Sequence, residues 1–455
     1  MPHKVTALFL AASLCALFSC SSKSKGTEEK TRQAGRAAQK EALVLEEKKS
    51  QALDKYIQTL TERERLAQLF VINLEGDEKF WFVERVDDDQ KSSQAKEGRP
   101  LVPGGYIFFS FNIARAPAQI AAFTDSVRDF ARSNDLTEPF LCLDAEGGYV
   151  NRLRGVAGPL PENEWVSNNL SPKEAFLLYS LNAIQLRSLG FDLNLSPVVE
   201  VQNESNQEFL DGRSFGDAQK VREYASAAVV AYQTNKVAAV LKHFPGNNSV
   251  DPHAALPILS FDEDEFERDV LEPFKFLVNE KPAGVLMSHA LVRVGGLGQD
   301  SLQNPAGSQD QKTPASLSSH WIREILRGRI GFTGLVFSDD IFMAALEKNG
   351  WPSERAVKSA ILAGVNCILM SEKRFINEWK LVKKLYDSDP DFKAAADDSI
   401  KKVFVFKLCA GILEWDFASQ TVRPAIARPS LDERMERFYG AKKLNQEALQ
   451  KYGQN

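Results

Sequence analysis

The sequence predicts an α/β fold, a (β/α)8 barrel of the TIM type, and three observations predict it. Eight short apolar runs recur along the chain, most of them followed by a stretch of helical periodicity. The runs are near-continuously apolar rather than alternating, as in parallel strands buried on both faces. Asp144, Lys242, His243, His289 and Asp339 each stand just past such a run, where barrel sites are built. Eight repeats over this length favour a closed barrel over a doubly wound sheet.

Taken in order, the chain opens on a targeting segment, residues 1–19. Lys4 precedes an apolar core, Val5 to Phe18, too short to span a bilayer as a mature helix. Leu17-Phe18-Ser19-Cys20 resembles a bacterial lipobox, with Phe18 bulkier than usual at its place; the resemblance implies cleavage before Cys20 and lipidation of Cys20. The alternative is an ordinary secretory signal with an incidental cysteine. Either way the expectation is an exported protein, membrane-anchored at Cys20 in the first case, periplasmic or at the cell surface. Residues 20–49 are rich in Ser, Lys, Glu and Ala and read as a solvated tether with a helical pattern towards its end.

Residues 50–413 carry the barrel. A helix from about Leu53 to Arg65 precedes the first strand, Leu66 to Leu74. The charged stretch Asp77 to Arg99 reads as an excursion. Gly104 to Ser110 is the second strand, with a helix at Pro117 to Ser133; Pro139 to Leu143 is the third. A helix over 172–189 leads to the fourth strand, Phe191 to Val199. A helix over 217–235 leads to the fifth, 237–241, and one over 261–279 follows. The sixth strand is 283–288. Ser318 to Arg329 is a helix with Ser316 or Ser318 as N-cap, before the seventh strand at 334–338. A helix over 353–363 and a strand over 366–370 complete the eight. Asp391 to Leu413 is a periodic helix expected to pack across the barrel. Residues 414–455 read as a polar tail with one short helical pattern.

Composition narrows the function. Across 455 residues, 56 Lys and Arg stand against 61 Asp and Glu, a net charge of −5. No basic stripe or zinc-type spacing points to nucleic acid. The five cysteines, Cys15, Cys20, Cys142, Cys367 and Cys409, form no CxxC pair; the last three sit in apolar contexts and read as buried thiols.

The chemistry gathers in two stretches. LKHFPGNNSVDPHAALP, Leu241 to Pro257, holds two of the five histidines. Asp251, two residues before His253, is placed to hold Nδ1–H and so fix the ring, which leaves Nε2 free to move a proton. GLVFSDDIFM, Gly334 to Met343, is an apolar strand ending in Asp339 and Asp340. A carboxylate at such a rim can act as a nucleophile.

KHFPG followed by D-x-H, with DAEGG…R, DGRSFG, PASLS and GFTGLVFSDDI.M, resembles glycoside hydrolase family 3, in particular its bacterial β-N-acetylglucosaminidases (β-hexosaminidases). The resemblance covers about Leu53 to Met370, with the motifs in the family's order. It implies a retaining hydrolysis that releases terminal GlcNAc from glycans such as peptidoglycan fragments or chitin oligosaccharides. Asp339 would be the nucleophile and His253, oriented by Asp251, the acid/base. A histidine near its ordinary pKa of about 6.5 suits both proton steps. The same resemblance places Asp144, Arg152, Arg213, Lys242 and His243 on the sugar hydroxyls. It implies no cofactor and no metal, and a monomer is the default expectation. The loop carrying the dyad, rich in Asn, Ser and Gly, is expected to move during turnover.

Other readings stay open. Asp144 is equally suited to cap a helix, with Arg152 its ion-pair partner. Lys242 and His243 fit a satisfied strand end, and His289 either a supporting role or a plain buried histidine. His320 reads as a helix-surface residue and Asp340 as structural. The sequence departs from the family at Asn247-Asn248, where His-Gly is common, in a dyad loop about two residues shorter, at Pro252, and at Asn366, where Asp is frequent. Pro252 fixes its own φ and restricts Asp251 to an extended conformation. The alternative functions are another β-glycosidase of the family, such as a β-glucosidase, and a non-catalytic glycan-binding surface lipoprotein.

Overall fold

Near-continuous apolar runs do form a closed parallel barrel. The computed structural model describes residues 44–80, 85–86, 99–250, 255–295, 312–371, 374–425 and 428–453. Cys20, Asp251 and His253 lie outside the described residues, as does the segment read as a signal. The barrel strands are β1 (Phe70–Asn73), β2 (Gly105–Phe108), β3 (Phe140–Leu143), β4 (Leu193–Asn194), β5 (Ala238–Phe244), β6 (Gly284–Met287), β7 (Leu335–Phe337) and β8 (Ile368–Met370). They pair in parallel in the order β7-β6-β5-β4-β3-β2-β1-β8. The ring closes where Ser338 N–H donates to Cys367 O at 3.0 Å and Asn366 N–H to Val336 O at 2.8 Å. Closure leaves the sheet without a free edge.

Both faces of each strand are buried, but in different cores. Val71, Ile107, Phe140, Cys142, Leu193, Val240, Leu286, Leu335, Phe337, Cys367 and Leu369 fill the barrel. Their neighbours Phe70, Ile72, Tyr106, Phe108, Leu141, Leu143, Ala239, Leu241, Val285 and Val336 face the surrounding helices. This is the strand period of two, hidden because both sets are apolar. At the floor, Phe140 meets Phe406 edge-on at 5.2 Å and Phe337 at 6.3 Å. Gly105 and Gly284 make room for these rings. A Cβ on Gly105 would lie 2.4 Å from the Phe140 ring, and one on Gly284 would lie 2.6 Å from that of Phe337.

Helix Pro390–Cys409 supplies the floor through Val403 and Phe406, with Ile412 beyond its end. It therefore does pack across the barrel, as its periodicity predicts. Helices Pro117–Ser133, Pro172–Ser188, Ala218–Thr234 and Ser353–Ala363 form as expected. Pro172–Ser188 starts on a capping box, with Ser171 Oγ accepting from Glu174 N–H and the Glu174 carboxylate from Ser171 N–H.

Several expectations are corrected. The run from Leu66 begins as helix, Glu62–Ala67, because Thr61 and Glu64 form a capping box; strand begins only at Phe70. The fourth strand is two residues, Leu193–Asn194, although Val198 still bridges Lys242 in parallel beyond it. The fifth runs on to Phe244, so Lys242 and His243 lie within it rather than after it. The helix expected from Ser318 is His320–Arg329; Ser318 Oγ accepts weakly from Trp321 N–H at 3.5 Å, and Ser316 Oγ turns to His289 instead. Cys142 and Cys367 are buried, but Cys409 is exposed on the last turn of its helix. The segment from 414 is more than a short helical pattern. A hairpin, Leu413–Asp416 with Thr421–Pro424, leads to the helix Leu431–Gln450, which buries Phe438, Ala441 and Leu449 against Pro172–Ser188.

Candidate active site

The inward face of the barrel continues upward from apolar to charged. In β3 the inward positions run Phe140, Cys142, then Asp144; in β5 they run Ala238, Val240, then Lys242; in β7 they run Leu335, Phe337, then Asp339. Asp144 and Lys242 thus share one layer at the C-terminal mouth, and Asp339 stands just past the C-terminal end of β7. In an eight-strand ring β3 stands opposite β7, so Asp339 faces the Asp144–Lys242 side across the opening.

Asp144 is the hub of that side. Lys242 Nζ donates to its Oδ1 at 2.8 Å, and Arg152 Nη2 to its Oδ2 at 3.2 Å. No helix begins at Asp144. The chain instead enters a hairpin, Ala145–Gly147 with Val150–Asn151, which sets aside the N-cap alternative. Asn194 holds that turn through its side chain, accepting from Ala145 N–H at 2.9 Å and donating to Ala145 O at 3.0 Å. Lys242 also lies 2.5 Å from Glu146, whose carboxylate receives two bonds from Arg213, at 2.8 and 2.9 Å.

The cluster is strongly coupled. Burial pushes the Glu146 carboxyl up, but Lys242 and Arg213 outweigh it and hold it down at about 2. Burial likewise opposes ionisation of Asp144, and Lys242 and Arg152 bring it below the ordinary range. Burial disfavours the Lys242 ammonium, yet Asp144 and Glu146 keep it above its usual value. All these groups are therefore charged near neutral pH. A buried lysine shared by two carboxylates, with two arginines behind them, is a rigid array of donors and acceptors suited to vicinal hydroxyls.

His243 forms a second pair. Its Nδ1 lies 2.6 Å from Glu200 Oε1, and Asn247 N–H donates to Glu200 Oε2 at 2.6 Å. Burial raises the Glu200 carboxyl, but His243, with Arg213 and the Asn247 N–H, outweighs it and leaves it lowered. Glu200 so joins the end of β5 to the base of the loop that carries Asp251 and His253. Asn248 and Ser249 pin that base further, to Ile258 O at 3.0 Å and to Ser205 O at 2.9 Å. A cavity of about 200 Å³ adjoins His243 and Glu200 and runs outward to Val270 and Phe274.

Asp339 is half-buried, and its Oδ1 accepts from Asp340 N–H at 2.8 Å. Among the described residues no lysine or arginine pairs with it. Asp340 is structural: Oδ1 accepts from the N–H groups of Phe342 and Ser371 at 3.1 and 3.2 Å. His289 holds the same turn from below, with Nδ1 2.6 Å from Ser316 Oγ and Nε2 3.0 Å from Asp340 O. It supports the site and is also a satisfied buried histidine. His320 lies at the surface beside Glu324, at 2.8 Å. Asn366 binds Val336 N–H, Arg327 and the Ser399 hydroxyl, a structural part.

Of the residues that the sequence singles out, the fold links Asp144, Arg152, Lys242 and Arg213 in one cluster, with His243 beside Lys242 and paired to Glu200, and sets Asp339 at the end of β7. Sequence reasoning overlooked Glu146 and Glu200. Glu146 stands inside the DAEGG motif, alternating with Asp144; Glu200 follows an apolar strand reading, as the other rim residues do. Both signals were present.

The profile of the Glycosyl hydrolase family 3 N terminal domain matches residues 61–405. A beta-hexosaminidase of Nitrosomonas eutropha is 30% identical over 292 residues, covering 62% of this chain and 76% of that protein. A beta-hexosaminidase of Methylobacillus flagellatus is 29% identical over 283 residues, covering 60% and 74%. Among solved structures, a family 3 β-N-acetylglucosaminidase from Paenibacillus sp. str. FPU-7 superposes with a TM-score of 0.64 at 25% identity, over 84% of this chain and 68% of that one.

Proposed function

We propose that this chain, which belongs to glycosyl hydrolase family 3, is a retaining exo-β-N-acetylglucosaminidase that releases terminal GlcNAc from peptidoglycan fragments or chitin oligosaccharides. The observation that carries the reading is the buried Asp144–Lys242–Arg152 cluster at the end of β3 and β5, with Asp339, which pairs with no lysine or arginine among the described residues, at the end of β7 on the opposite side of the ring. The likeness to two beta-hexosaminidases and to a β-N-acetylglucosaminidase structure supports the choice of sugar.

In the first step an Asp339 oxygen bonds to the anomeric carbon as the glycosidic C–O bond breaks, and His253 gives its proton to the leaving oxygen. In the second step water attacks that carbon, His253 takes the water's proton, and the bond to Asp339 breaks to restore the carboxylate. Asp251 orients the ring throughout. Asp144, Arg152, Arg213, Lys242 and His243 hold the hydroxyls of the terminal sugar. A carboxylate that carries no ion pair keeps its charge available for attack, whereas Asp144 and Glu146 spend theirs on cations. The protein is exported and tethered through a lipid at Cys20. Among the described residues no helix is long and apolar enough to cross a membrane.

The test compares p-nitrophenol release from the β-N-acetylglucosaminide and from the β-glucoside by protein that starts after Cys20. Cleavage of the first, lost at least a thousandfold in Asp339→Ala with folding intact, is the expected result. Cleavage of the glucoside alone moves the sugar assignment to β-glucosidase. Unchanged hydrolysis by Asp339→Ala removes Asp339 as nucleophile, and a folded protein that cleaves neither removes the catalytic reading.

A further inference from the structure

We propose that Phe111 is the platform on which the second sugar of the substrate rests, the unit joined through the bond that is cut. The inference rests on the exo-β-N-acetylglucosaminidase reading. Phe111 stands in the turn Ser110–Asn112 that follows β2 at the barrel mouth, and the residue is 60% exposed. Single exposed apolar residues are common, so exposure alone decides nothing. Three relationships single this one out.

The ring is presented rigidly. Asn112 is fully buried; its Oδ1 accepts from Phe109 N–H at 2.9 Å, and its Nδ2 donates to Leu74 O at 2.9 Å and Gly76 O at 2.8 Å. The turn is locked before any ligand arrives, so little ordering entropy is lost on contact.

The ring is also continuous with the sugar site. It stacks on Phe109 with centroids 5.9 Å apart and 25° between planes. Phe109 is the inward residue of β2 after Ile107, level with Asp144. The Arg152 guanidinium lies 5.6 Å from the Phe109 centroid, and its Nη2 reaches Asp144 at 3.2 Å. Phe111, Phe109, Arg152 and Asp144 thus form one line from rim to interior. Tyr149, more exposed at 79%, has its ring covered by Arg154 at 5.3 Å and lacks such a link.

The third relationship is directional. A terminal sugar held by the inward layer occupies the bottom of the mouth, and the rest of the substrate must leave past the rim. A β-linked pyranose with equatorial substituents presents a flat face of C–H groups, which packs on an aromatic ring. The part of the substrate able to reach Phe111 is therefore the next sugar.

The experiment measures hydrolysis of N,N′-diacetylchitobiose and of the GlcNAc–MurNAc disaccharide by wild type, Phe111→Ala and Phe111→Tyr, with free GlcNAc as competitive inhibitor. Phe111→Ala should raise KM for a disaccharide about tenfold, the loss lying in KM rather than kcat. The inhibition constant of free GlcNAc, which fills only the inner position, should stay unchanged, and Phe111→Tyr should restore KM. Unchanged KM for both disaccharides in Phe111→Ala, with an active wild type, overturns the platform. So does a parallel rise in the GlcNAc inhibition constant, which would mark damage to the inner site. A folded wild type that cleaves neither disaccharide overturns the functional reading as well, and is distinguished by the wild-type arm alone.

Discussion

Arg213 grips Glu146 with two parallel hydrogen bonds, Nε to Oε2 at 2.8 Å and Nη2 to Oε1 at 2.9 Å, across 67 residues of sequence. The pair ties the hairpin after β3 to the loop after β4. Lys242 of β5 closes on the same carboxylate at 2.5 Å. Three successive strand ends are thereby fixed to one buried anion.

That anion makes the fold acid-sensitive. The folded carboxyl sits at about 2 against 4.5 for an ordinary Glu, because Lys242 and Arg213 outweigh its burial. The group is depressed, so its contribution is present above pH 4.5 and is lost as pH falls from 4.5 towards 2. At about 1.4 kcal/mol per pH unit it amounts to about 3 kcal/mol. Thermal midpoints measured across that range should fall more steeply for wild type than for Glu146→Gln. Parallel curves would mean that Glu146 is not held down. At neutral pH the same variant should be less stable by about 3 kcal/mol, since Arg213 loses its carboxylate partner and Lys242 one of its two.

Glu200 is expected to matter for turnover without touching substrate. It receives His243 Nδ1 and Asn247 N–H, both at 2.6 Å, and so aligns a sugar-binding residue with the base of the dyad loop. Glu200→Ala should lower kcat/KM for the β-N-acetylglucosaminide about 100-fold, the effect of small misplacements in a preorganised site. Activity within twofold of wild type would show that the loop and His243 keep their positions unaided.

Lys407 lies fully buried beneath the barrel, donating to Gln68 Oε1 at 2.5 Å and Glu138 O at 2.7 Å. Burial lowers its ammonium from 10.5 to about 7, against the partial opposition of Glu138. The unfolded chain binds this proton more tightly, so stability rises with pH above 7. The window ends near 9, where Cys142 and Cys367, both raised by burial in the fold, begin to ionise when unfolded. Urea unfolding at pH 7 and pH 9 should show wild type gaining about 2 kcal/mol relative to Lys407→Met. Equal changes in the two proteins would place the proton elsewhere.

Two glycines should respond in opposite directions to alanine. Gly105→Ala drives a Cβ to 2.4 Å from the Phe140 ring and should cost about 1–3 kcal/mol. Gly440 lies exposed within helix Leu431–Gln450 with nothing near its added Cβ, so Gly440→Ala should add about 0.5–1 kcal/mol. Thermal unfolding of both variants reads the contrast; a stabilised Gly105→Ala would refute the tight floor.

The fold was legible because its signals are local. Apolar runs of strand length and the helical periodicity of Pro117–Ser133 each occupy a few consecutive residues. Errors arose where a local pattern had two solutions. The run from Leu66 is apolar in either conformation, and the capping box at Thr61 decides for helix. The helix Leu431–Gln450 looks polar because it covers only one face of Pro172–Ser188.

The barrel, its eight strands, and the candidates Asp144, Lys242, His243 and Asp339 are readable from the amino-acid order alone. Chain order places a charged residue at the end of the third, fifth and seventh apolar runs, Asp144, Lys242 and Asp339. Which way those side chains face depends on how the strands close into a ring. In a parallel barrel both strand faces are apolar, so no alternation marks the inward set. The tertiary structure also decided their partners: Lys242 reaches Asp144 from 98 residues away, and Arg213 reaches Glu146 from 67. Contacts of that separation follow from ring closure and strand register, which no local pattern carries. Nor does the sequence single out Phe109 or Phe111; the packing of Arg152 on the first and the exposure of the second come from the fold.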